Sequence, residues 1–266
     1  SEVARVGWNC KFVFAMHGEP TLNPAFIDIV ATFRKHLPKA VFHMYSNGYA
    51  MNHADDTEAY LDRLFGAGMN DILVDCYTAN GDWNFVEKID VDKYNVVTLE
   101  PGVPYYYPKQ GRRICLLPPI AQDDTNKMTR RLANHCGAAF PLDDSFNNKR
   151  CTFPFRELDV RWNGQVCLCC DDFRGEYPIA NIHDMPIEDL WNHPRFHAAR
   201  VMLYNNDRRF RPCQGCTHVS VRVGFLPDKK GKQTLPAITP EIRRMAEEVS
   251  KDGPCAEKIY RRPWEK

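Results

Sequence analysis

Six of the eleven cysteines fall between Cys151 and Cys216, and this crowding constrains the chain more than any other feature. The segment closes on Cys213-x2-Cys216, two thiols three positions apart on a tight turn, which can face one metal. Cys151 opens the segment, and Cys167, Cys169 and Cys170 follow Asn163-Gly164, a hairpin signal of the type I′ kind. Four thiolates suit tetrahedral Zn²⁺ or an iron–sulfur cluster, and spacing does not separate the two. Adjacent Cys169 and Cys170 point to opposite faces of a strand, so one of Cys167, Cys169 and Cys170 is expected to ligate while the others pack. An odd cysteine count and a start without a basic-then-apolar leader argue against a disulfide framework and predict a cytoplasmic protein.

Charge and hydropathy narrow the partners. Thirty-five basic against 34 acidic side chains leave a net +1, so no global attraction to nucleic acid or acidic lipid is expected. No apolar run is long enough to cross a bilayer. The 266 residues give room for one large domain, or a large and a small one.

The first half alternates strand-like and helix-like segments. Lys11 to Ala15 is a β-prone run ending in His17-Gly18-Glu19-Pro20. Asn23-Pro24 opens a helix with Phe26, Ile29, Val30, Phe33 and Leu37 on one face, stopped by Pro38. Ala40 to Tyr45 is the next strand, punctuated by Ser46-Asn47-Gly48. A helix over roughly Asp56 to Phe65 and a strand from Asp71 follow, with further strands at Asn95–Leu99 and Arg113–Leu117. Short turns between alternating elements predict an α/β fold with a parallel sheet. From Cys151 the texture changes to a hairpin, then short helices at Ile187–Trp191 and Pro194–Tyr204, and a polar helix opened by Thr239-Pro240. The boundary is expected after Asp143-Asp144-Ser145 and Asn147-Asn148, giving parts 1–147, 148–235 and 236–266.

These motifs, in this order, carry a resemblance. His17-Gly18-Glu19-Pro20 at a strand end resembles the Gly-Gly-Glu-Pro motif of radical S-adenosylmethionine (SAM) enzymes, and Ser46-Asn47-Gly48 resembles their Thr-Asn-Gly turn. Cys151-x12-Gly164-x4-Cys169 followed by Cys213-x2-Cys216 is similar to the superfamily's SPASM domain, or to its shorter single-cluster form, the twitch domain. Ile179 to Ile182 and Glu188 to Trp191 also read like that domain. The resemblance implies a partial (β/α)6 TIM-like barrel over 1–147, truncated at its N-terminus. A small α+β iron–sulfur auxiliary domain with a β-hairpin over 148–235 and a C-terminal helix and tail would follow. It implies that Gly18, Glu19, Pro20, Ser46 and Asn47 bind SAM, with the strand-end backbone holding the methionyl amine. Cys151, Cys169, Cys213 and Cys216 would bind one auxiliary [4Fe–4S] cluster; the family places a ligand beyond the hairpin glycine, which favours Cys169.

One departure stands out. The Cys-x3-Cys-x2-Cys motif that binds the SAM-activating cluster is absent, and only Cys10 precedes the Gly-Glu-Pro turn. A βαβ unit takes roughly 30 residues, and 16 precede His17. With Ser1 rather than Met at the start, the expectation is a piece of a longer protein, whose missing part would carry a second [4Fe–4S] cluster; loss of the radical chemistry is the alternative. The resemblance implies a 5′-deoxyadenosyl radical that abstracts a hydrogen atom, with the auxiliary cluster accepting the electron as the substrate is oxidised or crosslinked. A peptide or protein side chain is the first substrate expectation, and a small-molecule alcohol, as in twitch-type dehydrogenases, the alternative. An electron donor such as flavodoxin or ferredoxin is implied. The competing reading from another class is a non-catalytic zinc- or cluster-bound binding module.

Remaining features weigh less. His193 and His197 lie four apart on a predicted helix, more a solvated pair than a metal site. Cys76 and Cys115 belong to predicted strands, where burial explains them more simply than chemistry does. Tyr105-Tyr106-Tyr107 reads as an ordered loop, Arg208-Arg209-Phe210-Arg211 as a solvated basic face with phosphate binding a minority reading, and Lys229 to Lys232 as a loop.

Overall fold

The computed structural model describes residues 2–8, 10–14, 16–76, 83–99, 111–117, 133–218 and 237–249. The tyrosine run at 105–107 and the lysine-rich stretch at 229–232 lie outside them. The chain divides into two compact units, Ser1–Met128 and Thr129–Lys266.

In the first unit α1 (Glu2–Arg5) is followed by β1 (Lys11–Phe14), α2 (Phe26–His36), β2 (Val41–Ser46), α3 (Tyr49–His53), α4 (Thr57–Gly66), β3 (Asp71–Val74), β4 (Val96–Thr98) and β5 (Arg113–Leu116). The strands form one sheet in the order β1-β2-β3-β5-β4. Every pairing in it is parallel. Strand alternation sorts the side chains. Phe12, Phe14, Phe42, Met44, Ile72, Val74, Ile114 and Leu116 meet the helices in one apolar core with Phe26, Val30, Leu61 and Leu64. The aromatics interlock edge to face, with centroids 5.4 Å apart for Phe12 and Phe33 and 5.6 Å for Phe14 and Phe26. The other face carries Lys11, His43, Asp71 and Arg113, and register puts the last three level with one another.

Two local starts differ in detail from the sequence reading. Asp56 caps α4 as expected, accepting from Ala59 N at 2.9 Å. Asn23 caps only a turn: its Oδ1 accepts from Ala25 N at 3.0 Å, and α2 begins later, at Phe26.

The second unit has far less regular structure. A three-stranded antiparallel sheet joins β6 (Asp159–Val160), β7 (Gln165–Cys167) and β8 (Pro178–Asn181). Three helices follow, α5 (Ile187–Trp191), α6 (Pro194–Tyr204) and α7 (Pro240–Val249). The hairpin stands where Asn163-Gly164 placed it, but its turn is not type I′. That type needs positive φ at both central residues, and of Trp162, Asn163 and Gly164 only Gly164 has it, at 81°. Gly164 N donates to Arg161 O and Arg161 N to Gln165 O, which makes a three-residue loop closed by a left-handed glycine. A Cβ at Gly164 would also sit 2.7 Å from Asn181 Oδ1. Buried α6 residues Phe196, Ala199, Met202 and Leu203 share a core with Val166, Leu168, Tyr177, Ile179 and Ala246.

Candidate functional site

At the carboxyl ends of β1 and β2 one carboxylate ties the two strands together. Glu19 Oε1 accepts from Thr21 N at 3.1 Å and from Ser46 Oγ at 3.0 Å, and Glu19 Oε2 accepts from Asn47 N at 2.6 Å. Thr21 Oγ1 donates to the same carboxylate. Ser46 Oγ in turn accepts from Gly48 N at 3.1 Å. Pro20 opens the 3-10 turn over Pro20–Leu22, with Glu19 as its cap. The structure thus gathers Glu19, Pro20, Ser46 and Asn47 at one strand-end corner, and it commits the Glu19 side chain to scaffold bonds. Gly18 is exposed beside them, with no atom within 4 Å of where a Cβ would stand. What this corner leaves for a ligand is the backbone of the turn, at the position where parallel sheets bind their ligands.

On the polar face of the same sheet, Asp71 is fully buried and doubly held. Its carboxylate lies 3.0 Å from His43 Nδ1 and accepts from Arg113 Nε at 3.0 Å and Nη2 at 3.3 Å. Burial raises the Asp71 carboxyl, yet the bonds to His43 and Arg113 outweigh it and hold it below the usual range. Burial pushes His43 down, against the pull of Asp71. Cys115 lies 3.9 Å from Asp71 Oδ1. Burial, reinforced by that carboxylate, pushes its thiol up to about 12, so it stays protonated. Cys76 is buried as well.

The second unit brings cysteines together from three separate segments. Cys151, Cys169, Cys213 and Cys216 are all buried. Burial is the main force raising Cys169, with Cys213 and Cys151 among the charges that add to it. Cys213 is raised by burial and by Cys151 and Cys216. The two neighbours left open by the sequence turn elsewhere. Cys167 Sγ lies 3.7 Å from Asp159 O and 3.6 Å from Cys169 O. Cys170 Sγ lies 3.7 Å from Glu157 Oε1.

The spread of the thiols bears on what they can hold. Zinc bonds each thiolate at ~2.3 Å, so a tetrahedral site needs sulfurs only ~3.8 Å apart. Among the described residues, Glu157, Asp159 and Cys170 form the one group of three or more such ligand atoms lying mutually within 4.8 Å. No three of the gathered thiols meet that limit. A four-iron cluster puts each thiolate on a different iron, which spaces the sulfurs more widely. The donor set is therefore one that a cluster can use, and the thiols are not gathered as tightly as a single tetrahedral ion requires.

Buried polar groups fix the loops that carry these thiols. Arg208 is only 1% exposed. Its guanidinium donates to Lys149 O at 2.7 Å, Arg150 O at 2.6 Å, Cys216 O at 2.9 Å and His218 O at 2.9 Å. It thereby bolts the segment before Cys151 to the one after Cys213. This corrects the reading of Arg208 as part of a solvated basic run. Arg209 is engaged too, donating to Asp207 at 2.8 Å. Asp172 accepts from Glu176 N at 2.8 Å and Tyr177 N at 3.0 Å, fixing the turn after Cys169. Asp171 lies between His135 Nδ1 at 3.1 Å and His218 Nδ1 at 2.7 Å. Burial raises its carboxyl, but the two imidazoles outweigh that and bring it down to about 2.

The sequence reading missed Cys136, which has no motif around it. Its thiol donates to Cys216 and lies in reach of the charges of Cys169 and Cys213. Cys216 is drawn down to about 6, chiefly by that bond. His193 and His197 form no metal pair: His193 Nδ1 caps α6, accepting from Arg195 N at 3.2 Å, and His197 is exposed.

Residues 151–217 match SPASM, an iron–sulfur cluster-binding domain. A curated relative, the S-adenosyl-L-methionine-dependent 2-deoxy-scyllo-inosamine dehydrogenase of Niallia circulans, is 32% identical over 76 residues. That stretch is 28% of this chain and 30% of the relative, so the match spans under a third of either. The crystal structure of BtrN in complex with AdoMet and 2-DOIA superposes with a TM-score of 0.62 at 21% identity, covering 84% of this chain and 78% of that one. Selenomethionyl BtrN in an open conformation gives a TM-score of 0.54 at 20% identity, over 83% and 77% of the two chains. A parallel α/β sheet with strand-end turns of the Gly-Glu-Pro and Ser-Asn-Gly kind is thus followed by a SPASM iron–sulfur domain, in a fold similar to that of BtrN.

Proposed function

We propose that this chain forms part of a dehydrogenase that oxidises an alcohol of a small, cyclitol-like molecule, using SAM and an auxiliary [4Fe–4S] cluster. The observation that carries this reading is the set of four buried thiols in a SPASM domain, in a chain whose curated relative is a small-molecule dehydrogenase. In this reading the parallel sheet of the first unit is part of a (β/α)6 barrel. The sequence-based expectation of a peptide substrate finds no support in that relative, and the alcohol alternative does.

Cys151, Cys169, Cys213 and Cys216 are the four cluster ligands in this reading. The backbone of Gly18, Glu19 and Pro20, with Ser46 and Asn47, forms the SAM corner. When bound, SAM supplies a hydrogen-abstracting radical and the auxiliary cluster a one-electron acceptor. Oxidation of an alcohol to a ketone removes one hydrogen atom, one proton and one electron, so such an acceptor completes the balance. Four protein thiolates occupy every iron and leave none for substrate, which suits electron transfer. Glu19 holds the ends of β1 and β2 in one geometry, so the turn backbone meets the ligand pre-organised. Arg208 holds the ligand loops and sets a positive charge near the thiols, which opposes the burial that raises Cys213 and adds to the lowering of Cys216.

Iron, acid-labile sulfide and zinc per chain, measured on anaerobically purified protein, test the cluster reading. About four irons and four sulfides are expected, abolished by Cys213→Ala. Stoichiometric zinc without sulfide, under conditions that reconstitute iron–sulfur proteins, would sink it. Substrate class is tested separately, by supplying 2-deoxy-scyllo-inosamine and SAM to protein that also carries the Cys-x3-Cys-x2-Cys segment. Ketone formation supports the reading, and 5′-deoxyadenosine release only with a peptide substrate overturns it.

A further inference from the structure

A second donor set stands at the base of the hairpin, apart from the four cluster cysteines. Glu157 and Asp159 lie on the arm that enters β6, and Cys170 follows β7, whose Cys167 pairs with Asp159 across the sheet. One carboxylate oxygen from each acid and the Cys170 sulfur lie mutually within 4.8 Å. Cys170 Sγ and Glu157 Oε1 are 3.7 Å apart. A tetrahedral Zn²⁺ ion, with bonds of ~2.3 Å to sulfur and ~2.1 Å to oxygen, spaces such a pair at ~3.6 Å. The Asp159 carboxylate adds an independent observation. Its Oδ2 is sealed from solvent and accepts no hydrogen bond among the described residues. A buried carboxylate oxygen left without a donor is costly, and a cation bound there removes the cost. Arg156 does not neutralise the pair closely: it reaches Glu157 Oε2 only at 4.0 Å, and its guanidinium lies 4.7 Å over the Phe153 ring. Two carboxylates this close repel unless a proton or a cation stands between them. Glu157 keeps 29% of its side chain exposed, which gives an ion a way in from solvent.

We propose that Glu157, Asp159 and Cys170 form a second metal site, separate from the cluster thiols, for one Zn²⁺ ion. Neither the donors nor their spacing involves Cys151, Cys169, Cys213 or Cys216. A thiolate among the donors favours zinc over magnesium or calcium. Binding involves no change of oxidation state: zinc–sulfur and zinc–oxygen bonds form, the Cys170 S–H bond breaks, and its proton leaves to solvent. Three protein donors leave the fourth position to water. The ion ties the two arms of the hairpin together beside Cys169 in the chain.

The test titrates anaerobically purified, cluster-bearing protein with ZnSO₄ against a chromogenic chelator, with iron and sulfide counted before and after. A single zinc per chain is expected beside an unchanged iron content. Cys170→Ser and Asp159→Asn are each expected to weaken zinc binding by roughly a hundredfold or more while iron and sulfide stay. Zinc binding that stays within about threefold of wild type in both variants overturns the proposal, as does a wild-type chain that retains no zinc. Zinc-edge X-ray absorption on the wild-type holoprotein covers variants that do not fold. A single sulfur among oxygen neighbours is expected there, and a shell made only of sulfurs overturns the site. Failure of the cluster reading is told apart by the same counts. If the protein holds no iron or sulfide, zinc that Cys170→Ser removes and Cys213→Ala leaves still supports this site. Zinc that Cys213→Ala removes and Cys170→Ser leaves overturns it.

Discussion

The two units solve the same positioning problem with different physics. The first places its strand-end corner on a parallel sheet whose apolar face is filled by interlocking phenylalanines and covered by helices. Its strand-end turn is the by-product of a core that folds for ordinary hydrophobic reasons. The second has only short strands, and its thiol-bearing loops are fastened by buried polar side chains donating to backbone carbonyls. A loop held by packing can shift slightly at small cost, whereas a buried guanidinium with four acceptors cannot lose one without leaving a polar group unsatisfied. Rigid ligand geometry in the second unit is thus a hydrogen-bonding property, and in the first a packing property.

The sharpest way to break that contrast is Arg208→Met. It removes four bonds from backbone carbonyls that would then be buried without a donor, and a destabilisation of about 3 kcal/mol or more is expected. Hydrogen exchange should rise at Lys149–Cys151 and Cys213–His218 while the amides of β1, β2 and β3 stay protected. Iron should also leave the variant faster under a chelator. Equal loosening of both units would show that the second does not depend on this side chain in the way described.

A smaller effect is expected from Glu19→Gln. The amide keeps one acceptor oxygen but turns a second donor toward Asn47 N or Ser46 Oγ, removing charge-assisted bonds of about 1.5–3 kcal/mol each in gross terms. Part of this is regained by water, since Glu19 is only half-buried. Exchange at Thr21 and Asn47 is the measurement, with the β-sheet amides below the turn unchanged. If those sheet amides loosen as well, the corner supports the sheet rather than resting on it.

The smallest effect is electrostatic and has opposite signs in the two units. His43 is pushed below its unfolded value by burial, so it contributes stability that is present above about pH 6.5 and lost as pH falls toward its folded pKa. His135 is raised by Asp171, so its contribution is complete below about pH 6.5 and lost as pH rises through its folded pKa. Protection in the first unit should therefore rise with pH up to about pH 6.5, while protection around 133–137 falls as pH rises above that value. His43→Gln and His135→Gln should each remove the slope of its own unit only.

Much of the first unit was legible because its signals are periodic. The helix over residues 57–66 and the strands at 41–46, 71–74, 96–98 and 113–116 follow from apolar spacing and turn residues. The cysteines of the second unit announce a ligand site for the same kind of reason, since a two-residue gap is a local pattern. What stayed hidden depends on contacts between distant segments. Cys136 has no partner nearby in sequence, and only the fold brings it to Cys216. Arg208 sits in a run that looks solvated, and its burial is decided by four carbonyls from two other segments. The hairpin turn shows a third kind of loss: Asn-Gly gave the right place, but packing of Gly164 against Asn181 accompanies a different loop.

His135, Cys136 and Gly137 have φ values of 46°, 55° and 85°, three left-handed residues in succession. Glycine adopts that conformation freely, while a side chain there costs roughly 1–2 kcal/mol per residue. Glycine at 135 would relieve that cost but would also remove the imidazole that lies 3.1 Å from Asp171, and glycine at 136 would remove the thiol beside Cys216. The backbone of this loop is therefore held in an unfavourable conformation by the partners its side chains make elsewhere in the unit.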